Sequence, residues 1–263
     1  LVAPLAQALI LAVGWMGALW SMAGLALLAW PLVWRLRRAG QALAQPVSGA
    51  GSAPASAAGD AAPELLLRQA LRQALRDRSY GLLHLGFFTC GFHIAFLVTH
   101  LPGEVATCGL PASVAAQSLA LIGLANVAGS LLAGACVSRF RSKMVLALMY
   151  GSRAVLVLAY LWAPKDTLTF WVFAVGLGLT WLATVPPTAA IAGKLFGLRH
   201  LGTLFGLTLL SHQVGGFLGA WLGGLVMESQ GSYAWMWWAD AALAALAAVL
   251  NLPIREAPVK REA

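Results

Sequence analysis

Charged residues and cysteines are both scarce in this chain. Only 10% of the 263 residues are charged, whereas a soluble domain carries about 25%. This composition excludes a water-soluble globular protein. The three cysteines, Cys90, Cys108 and Cys136, form no Cys-x-x-Cys pair and no Cys/His group with zinc-ligand spacing. The sequence therefore predicts neither a disulfide framework nor a metal site, and it predicts no other cofactor.

Catalytic signatures are missing as well. The sequence contains no Gly-x-Ser-x-Gly, His-Glu-x-x-His or Gly-x-x-x-x-Gly-Lys-Ser/Thr motif, the marks of hydrolases, zinc proteases and nucleotide-binding enzymes. A membrane haem protein is the enzyme-like alternative, but His93 and His100 are two helical turns apart, roughly 10 Å. That separation does not suit two ligands of one metal. We expect that the protein is not an enzyme, and an absorption spectrum without a Soret band would exclude the haem alternative.

Long apolar runs dominate what is present. Hydrophobic residues form 60% of the chain, and the mean hydropathy is +0.79. A membrane-spanning helix needs about 20 mostly apolar residues. An initial run, residues 1–13, is shorter than this, and seven others reach the required length. The seven are residues 15–34, 80–101, 112–137, 144–163, 168–193, 201–227 and 233–252. They predict an all-α integral membrane protein. Because no basic segment precedes the first run, we expect a truncated start rather than a signal peptide.

The formal net charge of +8 indicates membrane topology rather than nucleic-acid binding. If the seven long runs alternate across the membrane, 15 of the 17 lysines and arginines lie on one side. The exceptions are Lys165, in a loop on the opposite side, and Arg153, inside a span. Positive residues accumulate on the cytoplasmic side of membrane proteins. The sequence therefore predicts a multi-pass protein of the plasma membrane, the bacterial inner membrane, with its linker and C-terminus in the cytoplasm.

The polar linker after the first full span divides into two parts. Residues 39–62 are rich in Ala, Gly, Ser and Pro, which predicts a flexible chain. Residues 63–77 predict a short amphipathic helix with leucines on one face and Arg68, Arg72 and Arg76 on the other. Its basic face either lies against anionic lipid headgroups or is solvated. The predicted organisation is the end of one helical bundle at 1–34, a cytoplasmic linker at 35–79, a six-helix bundle at 80–253 and a cytoplasmic tail at 254–263.

One connection between spans carries a recognisable motif. It reads Gly134-Ala-Cys-Val-Ser138-Arg139-Phe-Arg141-Ser-Lys143. The motif is similar to the Gly-x-x-x-Asp-Arg-x-Gly-Arg-Arg signature of the major facilitator superfamily. It keeps the first glycine, one arginine and the terminal base, while Ser138 replaces the acid and Arg141 replaces the second glycine. A charge relay that depends on that acid is therefore not expected here.

Three further motifs extend the resemblance. They are Thr184-Val-Pro186-Pro187-Thr, Ser-His212-Gln213-Val-Gly-Gly and Gly-Phe-His93. Together with the linker and the six spans after it, they resemble bacterial members of the superfamily in the monocarboxylate and oxalate–formate transporter-like group. The two prolines predict a kink in their helix, because proline removes a backbone donor and frees a carbonyl about one turn earlier.

The resemblance implies a fold and an activity. In this superfamily two six-helix bundles are joined by a cytoplasmic loop, so residues 1–34 correspond to the end of the first bundle and 80–253 to the second. The remainder of the first bundle would come from the same polypeptide. The implied function is secondary active transport of a small organic solute, expected to be a monocarboxylate-like anion, by alternating access. Symport and antiport, with or without protons, stay open. The alternatives are a drug or metabolite efflux carrier of the same fold, and a non-transporting scaffold or half-transporter dimer.

Polar residues inside the spans are the candidate solute ligands. A polar group in hydrocarbon is costly and usually faces a cavity or a partner, and transporter sites lie near the membrane midplane. Counting from the span ends gives six candidates: His93, Asn126, Thr180, Thr184, His212 and Gln213. We expect them to bind the solute, with His212 able to carry a proton and Gln213 offering donors and an acceptor. The alternative is that they only hydrogen-bond across the bundle.

Two charged residues lie inside spans at a similar depth. Arg153 can pair with Asp240, cap backbone carbonyls at a helix interface, or bind a carboxylate of the solute. The sequence favours a structural role over solute binding. In another span, Gly215, Gly219 and Gly223 repeat every four residues, and such a stripe lets a second helix backbone approach closely.

Overall fold

The computed structural model describes residues 2–28 and 67–258, and all of the regular structure within those ranges is helical. Its helices are α1 (Val2–Leu28), α2 (Leu67–Arg76), α3 (Arg78–Thr107), α4 (Ala112–Arg139), α5 (Ser142–Trp162), α6 (Thr167–Thr180), α7 (Val185–Phe196), α8 (Leu201–Gln230) and α9 (Ala234–Asn251). A single 3₁₀ turn, Leu182–Thr184, joins α6 to α7. The two described ranges belong to separate compact units.

The first unit contains α1, which is interrupted at Gly14. That residue has φ 71° and ψ 172°, a conformation that glycine adopts without steric cost. The interruption falls between the predicted runs 1–13 and 15–34. Residues 29–34 of the second run, the linker segment 39–62 and the last residues of the tail, 259–263, lie outside the described residues.

The second unit contains six segments that are long and apolar enough to cross a membrane. They correspond to the six later runs of the sequence, so the prediction of an all-α membrane bundle is confirmed. Most of the helices extend slightly beyond the predicted runs, although α9 is one residue shorter at each end than the run 233–252. For example, α3 begins at Arg78 because the Asp77 carboxylate caps it, accepting the backbone N–H groups of Ser79 and Tyr80 at 2.9 and 3.1 Å. It also continues through Pro102 to Thr107.

The six segments pack mainly as three pairs: α3 with α8, α4 with α6, and α5 with α9. Glycines permit the closest of these approaches. A side chain at Gly215 or Gly219 of α8 would overlap the backbone carbonyls of Phe88 and Phe92 in α3. At Gly178 of α6 a side chain would meet the Ile122 carbonyl oxygen of α4 at 2.5 Å. The glycine stripe therefore brings two helix backbones into contact, as its spacing predicts.

Helix α2 lies within the predicted amphipathic segment 63–77. It buries Ala70 and Ala74, and it exposes Arg68, Arg72 and Arg76. The leucines do not all pack against the bundle, since Leu75 is 68% exposed. This helix therefore presents an apolar and basic outer surface, which has the composition of an interfacial helix.

Tail residues 252–256 bind several helix ends at one end of the second unit, which we call the basic end. Arg255 forms an ion pair with Asp77. The carboxylate of Glu256 accepts from the Lys194 ammonium at 2.8 Å and from the backbone N–H of Lys143 at 2.8 Å. The Lys143 ammonium donates to the Leu252 carbonyl at 2.9 Å. These contacts gather at one end the helix termini that the charge pattern assigns to one side.

We expect the tail to loosen in acid. Partial burial opposes ionisation of Glu256, but its hydrogen bonds with Lys194 and Lys143 outweigh that effect and hold the pKa of Glu256 below its ordinary value. A lowered folded-state pKa stabilises the tail contacts above the unfolded pKa, and this stabilisation is lost as pH falls through the folded value. Because these groups are partly exposed, Glu256→Gln should cost only about 1 kcal/mol.

Hydrogen–deuterium exchange of the backbone amides at 252–257, corrected for intrinsic rates, measures this effect. Exchange should accelerate in Glu256→Gln at neutral pH and in the unmodified protein in acid. Glu228→Gln is the matched control, because Glu228 is exposed near the other end of α8. Equal exchange rates in the two variants would contradict the assignment.

Candidate functional site

The span formed by residues 167–196 is broken near its middle. Helix α6 ends at Thr180, and Trp181 has φ −64° and ψ −80° before the 3₁₀ turn leads into α7. Pro186 and Pro187 lie in the first turn of α7, where a missing backbone N–H has little cost. The sequence predicted a kink, and the structure has a complete break. Such a break leaves backbone groups without helical partners at a depth where water is scarce.

Arg153 of α5 satisfies one side of the break. Its guanidinium donates to the Thr180 carbonyl at 2.6 Å and to the Cys90 sulfur at 3.6 Å, and it lies 5.5 Å from the centre of the Tyr150 ring. In an unbroken helix that carbonyl would accept the N–H four residues later. The fully buried arginine thus caps the C-terminal end of α6, where the helix dipole favours a cation.

Asn126 of α4 binds a released backbone group on the other side of the break. Its Oδ1 atom accepts the backbone N–H of Leu182 at 2.9 Å. The hydroxyls of Thr180 and Thr184 donate back to carbonyls of their own span, those of Leu177 at 3.1 Å and Trp181 at 3.2 Å. Three of the six candidate ligands, Asn126, Thr180 and Thr184, therefore meet at the break.

Cys90 of α3 connects the break to α8. Its sulfur lies 3.4 Å from Thr184 Oγ1, and it also interacts with the His212 imidazole. His212 is half-buried with Nδ1 3.2 Å from Gln213 Oε1, and Gln213 is exposed. Five of the six candidate ligands are thus linked through this thiol, the guanidinium and the backbone of the break: Asn126, Thr180, Thr184, His212 and Gln213.

Sequence reasoning missed Cys90, because it considered the cysteines only as disulfide partners or metal ligands. The sequence feature that could have identified Cys90 is its spacing from His93, because residues three apart lie on one helix face. A thiol one turn from a candidate histidine was therefore placed to meet the same partners.

His93 and Asp240 form a buried pair between α3 and α9. The Nδ1 atom of His93 contacts Oδ2 of Asp240, and neither side chain is exposed. Asp240 therefore pairs with His93 rather than with Arg153, the partner considered from the sequence. The physical reason is that the break offers Arg153 a free carbonyl, while the packing of α3 on α9 brings His93 to the carboxylate. Arg153 still interacts electrostatically with His93.

The loop-motif residues lie away from this cluster. Arg139 and Gly134 are exposed near the end of α4, and no atom lies within 4 Å of a side chain built at Gly134. Lys143 belongs to the tail contacts of the basic end. Among the residues that the structure describes, no group of three or more His, Cys, Asp or Glu side chains could hold a metal.

A broken span with polar groups collected around it points to a transporter fold, and comparison with known proteins decides the family. Residues 1–220 match the model of the Major Facilitator Superfamily. The chain belongs to the Major Facilitator Superfamily. It is also 27% identical over 163 residues to a Bacillus subtilis (strain 168) protein named "Uncharacterized MFS-type transporter YcxA". That match covers 60% of this chain and 40% of the relative, so the chain spans less than half of the relative's length.

Membership of the Major Facilitator Superfamily makes the protein a multi-pass membrane protein of a transporter family, as the sequence motifs predict. A transporter family also argues against an enzymatic role. The finer resemblance, to monocarboxylate and oxalate–formate transporter-like members, stays a prediction. In a membrane protein of this superfamily the broken span is informative, because irregular backbone at membrane depth occurs where it lines a cavity or is held by protein.

We expect Asn126→Leu to destabilise the break. The substitution leaves the Leu182 N–H without its acceptor, and an unsatisfied donor costs about 1–3 kcal/mol. Asn126→Gln is the matched control because it retains an amide oxygen as acceptor and adds no charge inside the span. Thermal unfolding of the detergent-purified protein should separate the two variants, with the leucine variant lower. If Asn126→Leu unfolds at the temperature of the unsubstituted protein, the Leu182 contact does not hold the break.

Proposed function

We propose that this chain forms the second half of a secondary active transporter that moves a small, monocarboxylate-like organic anion by alternating access. The observation that carries the proposal is the broken span, whose free backbone groups are held by Arg153 and Asn126. Discontinuous helices near the midplane are where transporters of several folds bind their solutes. The first half of the cavity would be supplied by the first bundle of the same polypeptide.

Charge supports an anion as the solute. Arg153 lies inside a span, where a cation needs compensating partners. Its Nε atom is shielded from solvent and has no hydrogen-bond partner among the described residues, so it can donate to a carboxylate once the helices around the break move apart. Arginine binds carboxylates in a planar, two-point geometry. The half-buried His212 and the exposed Gln213 add groups that can complete the binding of a small polar solute.

The charge distribution also supports an orientation. Arg68, Arg72, Arg76 and Arg141 are exposed, and they continue the excess of positive residues in the linker and the tail. We infer that the linker and the C-terminus face the cytoplasm of a bacterial inner membrane, because this side collects positive charge.

Uptake by the full-length protein in proteoliposomes tests the function. Radiolabelled pyruvate, lactate, formate and oxalate are supplied with and without a pH gradient, and efflux of ethidium is measured in parallel. We expect uptake of at least one monoanion above that of empty liposomes. Efflux of ethidium alone would favour the drug-carrier alternative, and no flux of any of these solutes would favour a non-transporting scaffold.

The site is tested by the double variant His212→Ala, Gln213→Ala. We expect its uptake rate to fall well below that of the unsubstituted protein because two accessible polar groups of the proposed site are removed. Ser229→Ala is the matched control, since Ser229 is exposed near the end of the same helix. An unchanged uptake rate in the double variant would remove His212 and Gln213 from the proposed site.

A further inference from the structure

The buried pair of His93 and Asp240 is incompletely satisfied. The two side chains contact each other and are fully shielded from solvent. Within residues 67–258, neither Nε2 of His93 nor Oδ1 of Asp240 has a hydrogen-bond partner. Buried polar atoms in a purely structural pair are normally all bonded. An ionisable pair with unbonded polar atoms can gain or release a proton without first breaking another hydrogen bond.

The pair faces titratable and charged groups from three packed helices. Arg153 from α5 interacts with His93 electrostatically, and Cys90 lies one turn before His93 on α3. Tyr150 of α5 and His212 of α8 reach the same region through their interactions with Cys90. Asp240 of α9 completes the set. Of the residue types in this set, arginine and aspartate are the two that are charged in water at neutral pH.

The charges of this cluster balance only when His93 is neutral. The guanidinium of Arg153 and the carboxylate of Asp240 then cancel, and a proton on the pair gives the cluster a charge of one positive unit. An unbalanced charge inside a membrane protein is costly. A negatively charged solute at Arg153 would restore neutrality. Proton and anion therefore favour each other's binding, and the coupling is reciprocal.

We propose that the His93–Asp240 pair is the proton-binding site of the transporter, and that one proton on this pair and one negative charge of the solute at Arg153 cross the membrane together. The inference rests on the proposed function, because the anion is the solute of that function. It assigns the coupling ion to the histidine of α3 rather than to His212. The expected transport mode is symport of a monoanion with a proton.

The proton site is tested without any solute. Infrared difference spectra of the full-length protein in lipid nanodiscs are recorded between about pH 5 and 8, the range in which histidine titrates. We expect imidazole and carboxyl bands that disappear in His93→Gln and in Asp240→Asn. His100→Gln is the matched control, since His100 is on the same helix with its Nε2 atom 2.8 Å from the Ala220 carbonyl oxygen, and this variant should keep the carboxyl band. Identical difference spectra in the unsubstituted protein and in His93→Gln would overturn the proposal.

A second measurement does not depend on a folded variant. The unsubstituted protein is titrated with and without pyruvate. Bound pyruvate should raise the midpoint pH at which the histidine and carboxyl bands change. In proteoliposomes containing a pH-sensitive dye, pyruvate uptake should acidify the interior.

The two proposals fail in different ways. Anion uptake without proton movement would overturn the proton site and leave the proposed function standing. If none of the tested anions is transported, the proposed function is contradicted, while the spectra still decide whether His93 and Asp240 bind a proton.

Discussion

Replacing Arg153 with methionine should destabilise the bundle by about 3–5 kcal/mol, the cost of removing one partner from a buried charge cluster. Methionine fills a similar volume but donates no hydrogen bond. The substitution leaves the Thr180 carbonyl without its donor. It also removes the positive charge that compensates Asp240, whose remaining contact is His93. We expect little folded protein in the membrane fraction and a large fall in the unfolding temperature of what remains.

Arg153→Lys separates charge from geometry in this experiment. Lysine keeps the positive charge but cannot reach the Thr180 carbonyl and the Cys90 sulfur with a planar fork, so its unfolding temperature should be intermediate. Arg141→Met is the matched control, because Arg141 is exposed at the basic end. If Arg153→Met and Arg141→Met unfold at the same temperature, the guanidinium does not hold the break.

The second large effect is expected at Gly219. In Gly219→Val the new Cβ atom would overlap the Phe92 carbonyl of α3. Because this obstacle is backbone rather than a flexible side chain, the cost should be about 3 kcal/mol, the upper end for overpacking. The contact between α3 and α8 is the most extensive in the bundle, so separating these helices should reduce both the yield of folded protein and transport.

Gly224→Val is the control for this effect. It lies on the same helix and loses the same glycine, but no atom lies within 4 Å of a Cβ at that position. Size-exclusion profiles and unfolding temperatures of the two variants should therefore differ, with only Gly219→Val aggregated or strongly destabilised. Equal behaviour of the two variants would mean that the glycine stripe is not a close-packing surface.

The helical bundle is predictable from the sequence because hydrophobic length and charge position act locally along the chain. The approach of α8 to α3 is also predictable, since Gly215 and Gly219 recur at the spacing of one helix face. Even the interruption of α1 at Gly14 coincides with a boundary between two apolar runs. Each of these features depends on residues close together in sequence.

The organisation of the candidate site depends on contacts between distant residues. Pro186 and Pro187 predict a kink, but the complete break requires a donor from α5 and an acceptor from α4 to hold the released backbone groups of Thr180 and Leu182. The partner of Asp240 is likewise a matter of tertiary packing. Depth along a span places several side chains at one level, and it does not say which of them meet.

Amide exchange at the broken span tests whether the solute binds at the break. Hydrogen–deuterium exchange of the full-length protein in nanodiscs is measured with and without a saturating concentration of pyruvate, or of whichever monoanion the uptake assay shows to be transported. We predict slower exchange in peptides covering residues 178–186, because the solute would bind at Arg153 and at the backbone groups of the break. A transported anion that leaves exchange at 178–186 unchanged, and slows it only elsewhere in the protein, would contradict the assignment of the site.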